Sequence, residues 1–409
     1  MKIYFVSLGC PKNLSDTEVL MGKLVAGGHT ITTNPAEAEI IIINTCAFLK
    51  SARDEAEATI REMAQWKKKG KCQKIYLAGC LPEYLKKVGG KGKGEKGLVD
   101  GDIDSIGLFS CETPRIKATP PWYAYVKIAE GCNNNCAYCL IPTIRGRMRC
   151  RKPADILNEV KALSKRGVKE IIFIAQDTTA YPNFHQLLKK TAKIKGIRWI
   201  RIMYTHPSHI TDKLIEEIAK EKKIVKYLDL PIQHACDKIL RRMNRRYTRQ
   251  DLENLISKIR RKIPKIALRT SVIVGFPGEN DADFEELKNF IRQVKFDKIG
   301  VFTYQREKGT SAFKQREQVS EKVKQKRFDI LMRLASREST ERNIKLIGSL
   351  VEIIIEGAEN GYFVGRSSTD APEIDGKIFL KKSKSLKPGK IARAKITGAR
   401  TYDLIGCLT

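Results

Sequence analysis

A strand–helix repeat through the middle of the chain constrains its fold most. Six short runs rich in apolar, β-branched and aromatic residues recur there: Tyr123–Ala129, Glu170–Gln176, Trp199–Tyr204, Val225–Leu230, Leu268–Gly275 and Lys298–Tyr304. Amphipathic segments such as Pro153–Lys165, Asp212–Lys222, Arg249–Arg261 and Asp281–Val294 separate them. Alternation on this scale implies parallel strands with helices outside, as an open sheet or a partial or full barrel. This module is placed at residues 120–341. The 409 residues leave room for two more.

Residues 1–118 read as a doubly wound α/β domain. Met1–Gly9, Ala38–Thr45 and Lys74–Gly79 have the composition of buried parallel strands, with helical stretches at Ser15–Val25 and Ser51–Lys69 between them. Ser15 with Glu18 reads as a capping box opening the first helix. Cys10, Cys46 and Cys80 each fall just past a strand end. The loops after strand C-termini form the binding edge of such a sheet, so the three thiols are expected to share a site there. Residues 92–97 match G-x-G-x-x-G, but in a Lys/Gly-rich stretch with no strand before it, which reads as a flexible loop. Pro114–Pro121 marks a boundary. Residues 342–409 change character: short strands at Val351–Glu356, Tyr362–Arg366, Lys377–Lys381, Lys390–Thr397 and Leu404–Leu408, with Gly, Pro and Asp turns, suggest a small β-barrel of OB type.

The net charge is +31, from 77 Lys+Arg against 46 Asp+Glu. Of this, +22 falls on the central module, +4 on the first and +5 on the last. Such an excess suits a polyanionic partner, with a thermophile-like or genomic lysine bias as the plainer cause. No apolar run approaches the ~18 residues of a spanning helix, and the N-terminus carries no signal-peptide pattern. Eleven cysteines, an odd number, argue for a reducing compartment and for metal or redox chemistry. A soluble cytoplasmic protein without membrane attachment is expected.

Immediately after the first central strand stands Gly131-Cys132-Asn133-Asn134-Asn135-Cys136-Ala137-Tyr138-Cys139. Three thiolates spaced C-x₃-C-x₂-C on one loop suit a single iron–sulfur cluster; a cubane takes four ligands, so one iron stays open. Structural zinc would need a fourth protein ligand. Cys150 is the one thiol near enough to propose.

This loop, with Tyr138 before the last cysteine and a β/α repeat around it, resembles the radical S-adenosylmethionine (SAM) superfamily. The resemblance implies that SAM chelates the open iron and that one-electron reduction yields a 5′-deoxyadenosyl radical. The whole chain resembles the methylthiotransferases within that superfamily. It implies a second [4Fe–4S] cluster on Cys10, Cys46 and Cys80, matched by Leu8-Gly9-Cys10, Asn44-Thr45-Cys46 and Ala78-Gly79-Cys80, and a C-terminal TRAM module. The branch that modifies a ribosomal-protein aspartate fits better than the tRNA-adenosine branch. Its segments are Ser7–Asn13 with Asp16-Thr17-Glu18, Ile141–Gly146, Asp229–His234, Gly365-Arg366-Ser367 and Asp370–Gly376. Asp370, Glu373 and Asp375 in a basic barrel also suggest carboxylates facing a cationic protein substrate. Cys150, Ser368 and Thr205-His206-Pro207 depart from that branch's pattern, the last toward the tRNA branch.

The resemblance makes Cys132, Cys136 and Cys139 the radical-generating site and implies a sulfur-delivering role for the first-domain cluster. One SAM would supply the methyl group and a second the radical, with an external electron donor. The expected substrate is the β-carbon of an aspartate in small-subunit ribosomal protein twelve. A tRNA-adenosine methylthiotransferase and a non-catalytic iron–sulfur RNA-binding protein stand as alternatives. Tyr138, Gln176, His234, Gly275 and Pro277 are expected on the SAM side. The glycines of Val274–Glu279 would allow close backbone approach to the adenosine. Arg145, Arg147, Arg149 and Arg151 read as a basic ribbon or a solvated edge. His206 and His209, with Pro207 between them, are not expected to pair on a metal. Lys381–Lys395, with Lys384, Lys387, Lys390 and Arg393, reads as an RNA-facing rim.

Overall fold

A computed structural model describes residues 1–88, 97–103, 107–110, 112–381 and 386–409. Residues 92–96 of the glycine-rich motif and Lys384 of the basic rim lie outside the described residues.

The first module is a five-stranded parallel sheet: β1 (Lys2–Ser7), β2 (Thr30–Thr32), β3 (Ile40–Thr45), β4 (Lys74–Gly79) and β5 (Gly101–Asp102), in spatial order β2-β1-β3-β4-β5. The run Ile40–Ile43 is the central spine, paired on both sides in register with Ile3–Val6 and Lys74–Leu77. The order in which strands are added reverses between β1 and β3, the crevice where α/β sheets bind ligands. The first helix begins earlier than the capping-box reading had it. It spans Pro11–Ala26, with Cys10 as its N-cap and Pro11 pre-setting the first turn. Ser15 is therefore inside the helix and buried, and Glu18 turns away to accept bonds from Arg115 (Nε, 2.8 Å) and the amides of Ala118 and Thr119.

The central module comprises β6 (Tyr123–Lys127), β7 (Ala129–Glu130), β8 (Arg149–Cys150), β9 (Glu170–Ile174), β10 (Trp199–Ile202), β11 (Tyr227–Asp229), β12 (Ala267–Val274) and β13 (Lys298–Thr303). Two parallel three-stranded sheets, β6-β9-β10 and β11-β12-β13, are joined through a parallel bridge between Ile200 and Ile224. The result is a six-stranded partial β/α barrel. β7 and β8 form a small antiparallel hairpin. Helices Pro153–Lys165, Asp212–Lys220, Arg249–Lys262 and Asp281–Val294 bury their apolar stripes against the strands, the last two opened by capping boxes (Thr248/Asp251, Asn280/Asp283).

Helix Glu321–Lys345 leads into the third module. There β14 (Leu350–Glu359), β15 (Tyr362–Ser367), β16 (Ile378–Lys381), β17 (Ile391–Ala399) and β18 (Leu404–Leu408) close into a barrel, ordered β14-β15-β16-β18-β17. Register shifts at Ile355/Gly357 and Ile396/Gly398 bend the two longest strands for closure.

The acidic segment of this barrel corrects the expectation of a substrate-facing surface. Asp370 is buried on Lys298 (2.5 Å), Glu373 accepts from Tyr123 Oη (2.7 Å), and Asp375 accepts from Tyr227 Oη (2.8 Å). Arg366 is buried on Glu170 (2.5 Å), which also holds Arg201 (2.7 Å). These groups fasten the small barrel to the central strands. Desolvation at the contact makes each charge seek a partner inside the molecule.

Candidate functional site

The loop after β7 turns at Gly131, where φ is +80° and a Cβ would lie 2.3 Å from the Arg147 carbonyl oxygen. Only glycine fits there. Backbone bonds then fix the loop: Cys132 N to Gly146 O (3.1 Å), Cys139 N to Cys136 O (3.0 Å) and Ala137 N to Met243 O (2.9 Å). The amides of Asn134 and Ile141 point at the sulfurs of Cys132 and Cys139, each at 3.4 Å. Burial pushes the Cys139 thiol up to about 12, helped by the charges of Cys136 and Cys132. Tyr138 packs with Phe276, Tyr304 and Met243, and the Arg245 guanidinium lies 5.9 Å from its ring centre.

The three first-module thiols sit at the exits of β1, β3 and β4. Gly9 (φ +90°) and Gly79 (φ +88°) make these exits tight: a Cβ on Gly9 would lie 2.7 Å from Cys46 Cβ, and one on Gly79 would lie 2.2 Å from Asn44 Oδ1. Burial pushes the Cys80 thiol up to about 11, opposed by Arg145 and reinforced by the charges of Cys46 and Cys10. Each group is thus three mutually interacting free thiols. Close, partly buried thiolates repel one another unless a cation holds them, and three soft donors fit an iron–sulfur cluster with one iron open.

Between the two groups lies a buried ionic network. Lys127 meets Asp16 and Glu130 Oε2 (2.6 Å); Arg145 meets Asp16 (3.1 Å) and Glu130 Oε1 (3.3 Å). A cavity of about 490 Å³, lined in part by Glu83, Lys87, Glu130 and Arg145, opens beside it.

The other expected residues are placed as follows. Gln176 donates to Glu130 Oε1 (3.0 Å), while its own buried Oε1 has no partner among the described residues, an acceptor left for a ligand. His234 is fully buried; its Nδ1 accepts from the Cys236 amide and its Nε2 lies 3.4 Å from Glu279. Pro277 is buried, and the space beside Gly275 is filled by Lys324, whose Cγ would lie 2.2 Å from an added Cβ. The room that glycine leaves is thus used by a side chain of the chain itself. The arginine ribbon divides: Arg145 and Arg151 are buried in ion pairs, Arg147 and Arg149 are exposed. Cys150 is exposed on β8. Lys381, Lys387, Lys390, Arg393 and Lys395 are exposed on the small barrel.

His206 and His209 approach each other across Pro207, their ring centres 5.1 Å apart. The short 3₁₀ turn Pro207–His209 puts residues three apart on one side. With Asp177 they place three ligand-type atoms within 4.8 Å of one another. Asp177 accepts from His209 Nδ1 (2.7 Å) and from Asn134 Nδ2 (2.6 Å), so this cluster braces the cysteine loop. Sequence reasoning placed Gln176-Asp177 on the cofactor side but missed Asn13, Asp16, Glu130 and Asn134 as members of the site. The one available signal was polar Asn13 and Asp16 on the helix that follows Cys10.

Family profiles match in the same three-part order: "Uncharacterized protein family UPF0004" at residues 2–99, the radical SAM superfamily at 126–291, and the TRAM domain at 347–408. Fold and site thus define a radical SAM methylthiotransferase, and that superfamily implies a [4Fe–4S] cluster and SAM. Proteins named ribosomal protein uS12 methylthiotransferase RimO are similar over the full length. The one from Pelotomaculum thermopropionicum is 43% identical, covering 99% of each chain. That from Thermoanaerobacter sp. is 43% identical over 98% of each, and that from Desulforamulus reducens 42% identical over 99% of this chain and 98% of its own. The chain belongs to the RimO family of methylthiotransferases. Among solved structures, the radical SAM methyltransferase TsrM from Kitasatospora setae superposes with a TM-score of 0.55 at 12% identity, covering 95% of this chain and 81% of TsrM, a likeness of fold alone. No helix among the described residues is long and apolar enough to cross a membrane.

Proposed function

We propose that this enzyme acts in the cytoplasm on ribosomal protein uS12, methylthiolating the β-carbon of an aspartate. The observation that carries the reading is the pair of three-thiol groups, each without a fourth cysteine ligand among the described residues, on either side of one buried network. Full-length similarity to proteins named for uS12 supports the substrate. The acidic barrel segment does not, since its carboxylates are engaged internally.

In this reading Cys132, Cys136 and Cys139 hold one [4Fe–4S] cluster and Cys10, Cys46 and Cys80 a second. Held there with SAM and given an external electron donor, the first cluster would supply a radical capable of taking hydrogen from an unactivated carbon, which side-chain acid–base chemistry cannot do. Gln176 offers its unpartnered carbonyl toward the SAM side, and Tyr138 and Phe276 shield the loop from water. His234 and Pro277 shape that wall from behind, and Gly275 lets helix Glu321–Lys345 pack close. The basic surface draws the enzyme to a nucleoprotein particle by long-range attraction.

The exposed basic rim favours a second reading, a tRNA substrate. Anaerobic reactions offering ribosomes and tRNA together separate the two by mass spectrometry. A methylthio group on uS12 is expected; one that appears on tRNA and never on uS12 overturns the proposal.

A further inference from the structure

A line of buried polar side chains runs from one thiol group toward the other. Arg145 closes the short helix Ile141–Arg145 just after the cysteine loop, and it is 7% exposed. Its Nε donates to Cys80 Sγ at 3.2 Å and one terminal nitrogen donates to Asn13 Oδ1 at 2.8 Å. The other terminal nitrogen meets Asp16 and Glu130, and Glu130 in turn accepts from Gln176. Every edge of the guanidinium is therefore assigned, and the edge carrying Nε is aimed at sulfur.

A purely ionic role does not explain that aim. Asp16 and Glu130 are already met by Lys127 as well as by Arg145. The Cys132 and Cys139 sulfurs, by contrast, accept from the amides of Asn134 and Ile141, with the neutral Asn134 side chain also at Cys132. The Arg245 cation acts on Cys136 and Cys139 through its field, without a hydrogen bond to sulfur among the described residues. Hydrogen bonds to ligand sulfurs are among the factors that set an iron–sulfur cluster's reduction potential, and a cationic donor favours the more negative, reduced state.

We propose that Arg145 is a positioning residue of the first-module cluster: its Nε–H orients the Cys80 sulfur and raises that cluster's reduction potential, whereas no cationic side chain donates to a central-loop sulfur among the described residues. The two clusters of one chain are thereby set to different potentials, although each is held by three thiolates. This inference rests on the two-cluster reading above.

The test is an anaerobic potentiometric titration of the reconstituted full-length enzyme, followed by electron paramagnetic resonance. Added SAM perturbs the central cluster and so tells the two signals apart. In Arg145→Gln the midpoint of the SAM-insensitive signal is expected to fall while the SAM-sensitive one stays. Arg145→Lys keeps the cation without the planar fork and is expected to fall between. An unchanged SAM-insensitive midpoint in Arg145→Gln, with iron at about eight per chain, overturns the proposal. An equal shift of both signals overturns it too, because arginine would then act as a general field. If Arg145→Gln does not retain the first-module cluster, Arg145→Lys decides by the same criterion: a lowered midpoint supports the proposal and an unchanged one overturns it. Wild-type enzyme with one signal and about four irons sinks the two-cluster reading itself, which distinguishes that failure from this one.

Discussion

The two three-cysteine groups reach the same donor set by opposite routes. Cys132, Cys136 and Cys139 lie within eight residues on one loop, shaped by its own turn and one obligatory glycine and tied by backbone bonds to Gly146 and Met243. Cys10, Cys46 and Cys80 come from three strand exits, and only the parallel register of β1, β3 and β4 brings them together. The loop needs its own turn and a wall behind it. The distributed site needs a whole sheet, and across the module boundary it needs Arg145 and Lys127. A site built from local contacts survives loss of a distant one; a site built across a boundary does not.

Single cysteine substitutions give the largest effect and the sharpest break between the two. Cys139→Ala is expected to reduce both 5′-deoxyadenosine and methylthio product to background. Cys80→Ala is expected to retain reductive SAM cleavage and lose only the methylthio product. Each should drop iron from about eight to about four per chain. Product chromatography with iron analysis checks this. If Cys80→Ala also stops 5′-deoxyadenosine formation, the division of labour fails.

The next effect is on stability. Asp16→Ala leaves Lys127 and Arg145 with one carboxylate fewer in a buried site. Breaking such a network typically costs about 3–5 kcal/mol. Asn244→Ala, which removes an exposed bond to the Asn135 carbonyl (2.7 Å) of the cysteine loop, should cost about 1 kcal/mol. Denaturant unfolding of the two variants, read at the first transition, tests whether the distributed site is the more dependent one. Equal losses would erase the contrast.

The same division governs what was legible in the sequence. The cysteine loop, the three strand exits, the β/α repeat and the small barrel all follow from local spacing and periodicity. What escaped were side chains whose partners are remote in sequence. Ser15 and Glu18 have the spacing of a capping box, yet Glu18 is taken by Arg115, and Pro11 starts the helix a turn earlier. Asp370, Glu373 and Asp375 look like a surface patch until Lys298, Tyr123 and Tyr227 claim them. Arg145 and Arg147 are two residues apart, and only one is buried. Composition records that a charge is present; its partner is chosen by the packing of modules.

The smallest expected effect concerns pH and falls on the central site alone. The hydrogen bond with Asp177 raises the His209 imidazole above its ordinary 6.5, against a partial opposing effect of burial. Burial opposes charge on Asp177, but the hydrogen bond and charge of His209 outweigh it and hold that carboxyl below 3.8. The imidazolium therefore contributes stability that is full below pH 6.5 and lost as pH rises through the higher folded value. The carboxylate's contribution is present above pH 3.8 and lost as pH falls through the lower folded value. His209 is 36% exposed, so screening limits the pair to at most about 1 kcal/mol. The stability difference between wild type and His209→Ala is expected to be larger at pH 5.5 than at pH 8.5, as about in the range where imidazoles titrate. Arg145 keeps its charge throughout that range, so Arg145→Lys should show no such dependence. A His209→Ala difference that stays flat with pH would mean that Asp177 braces the loop through Asn134 alone.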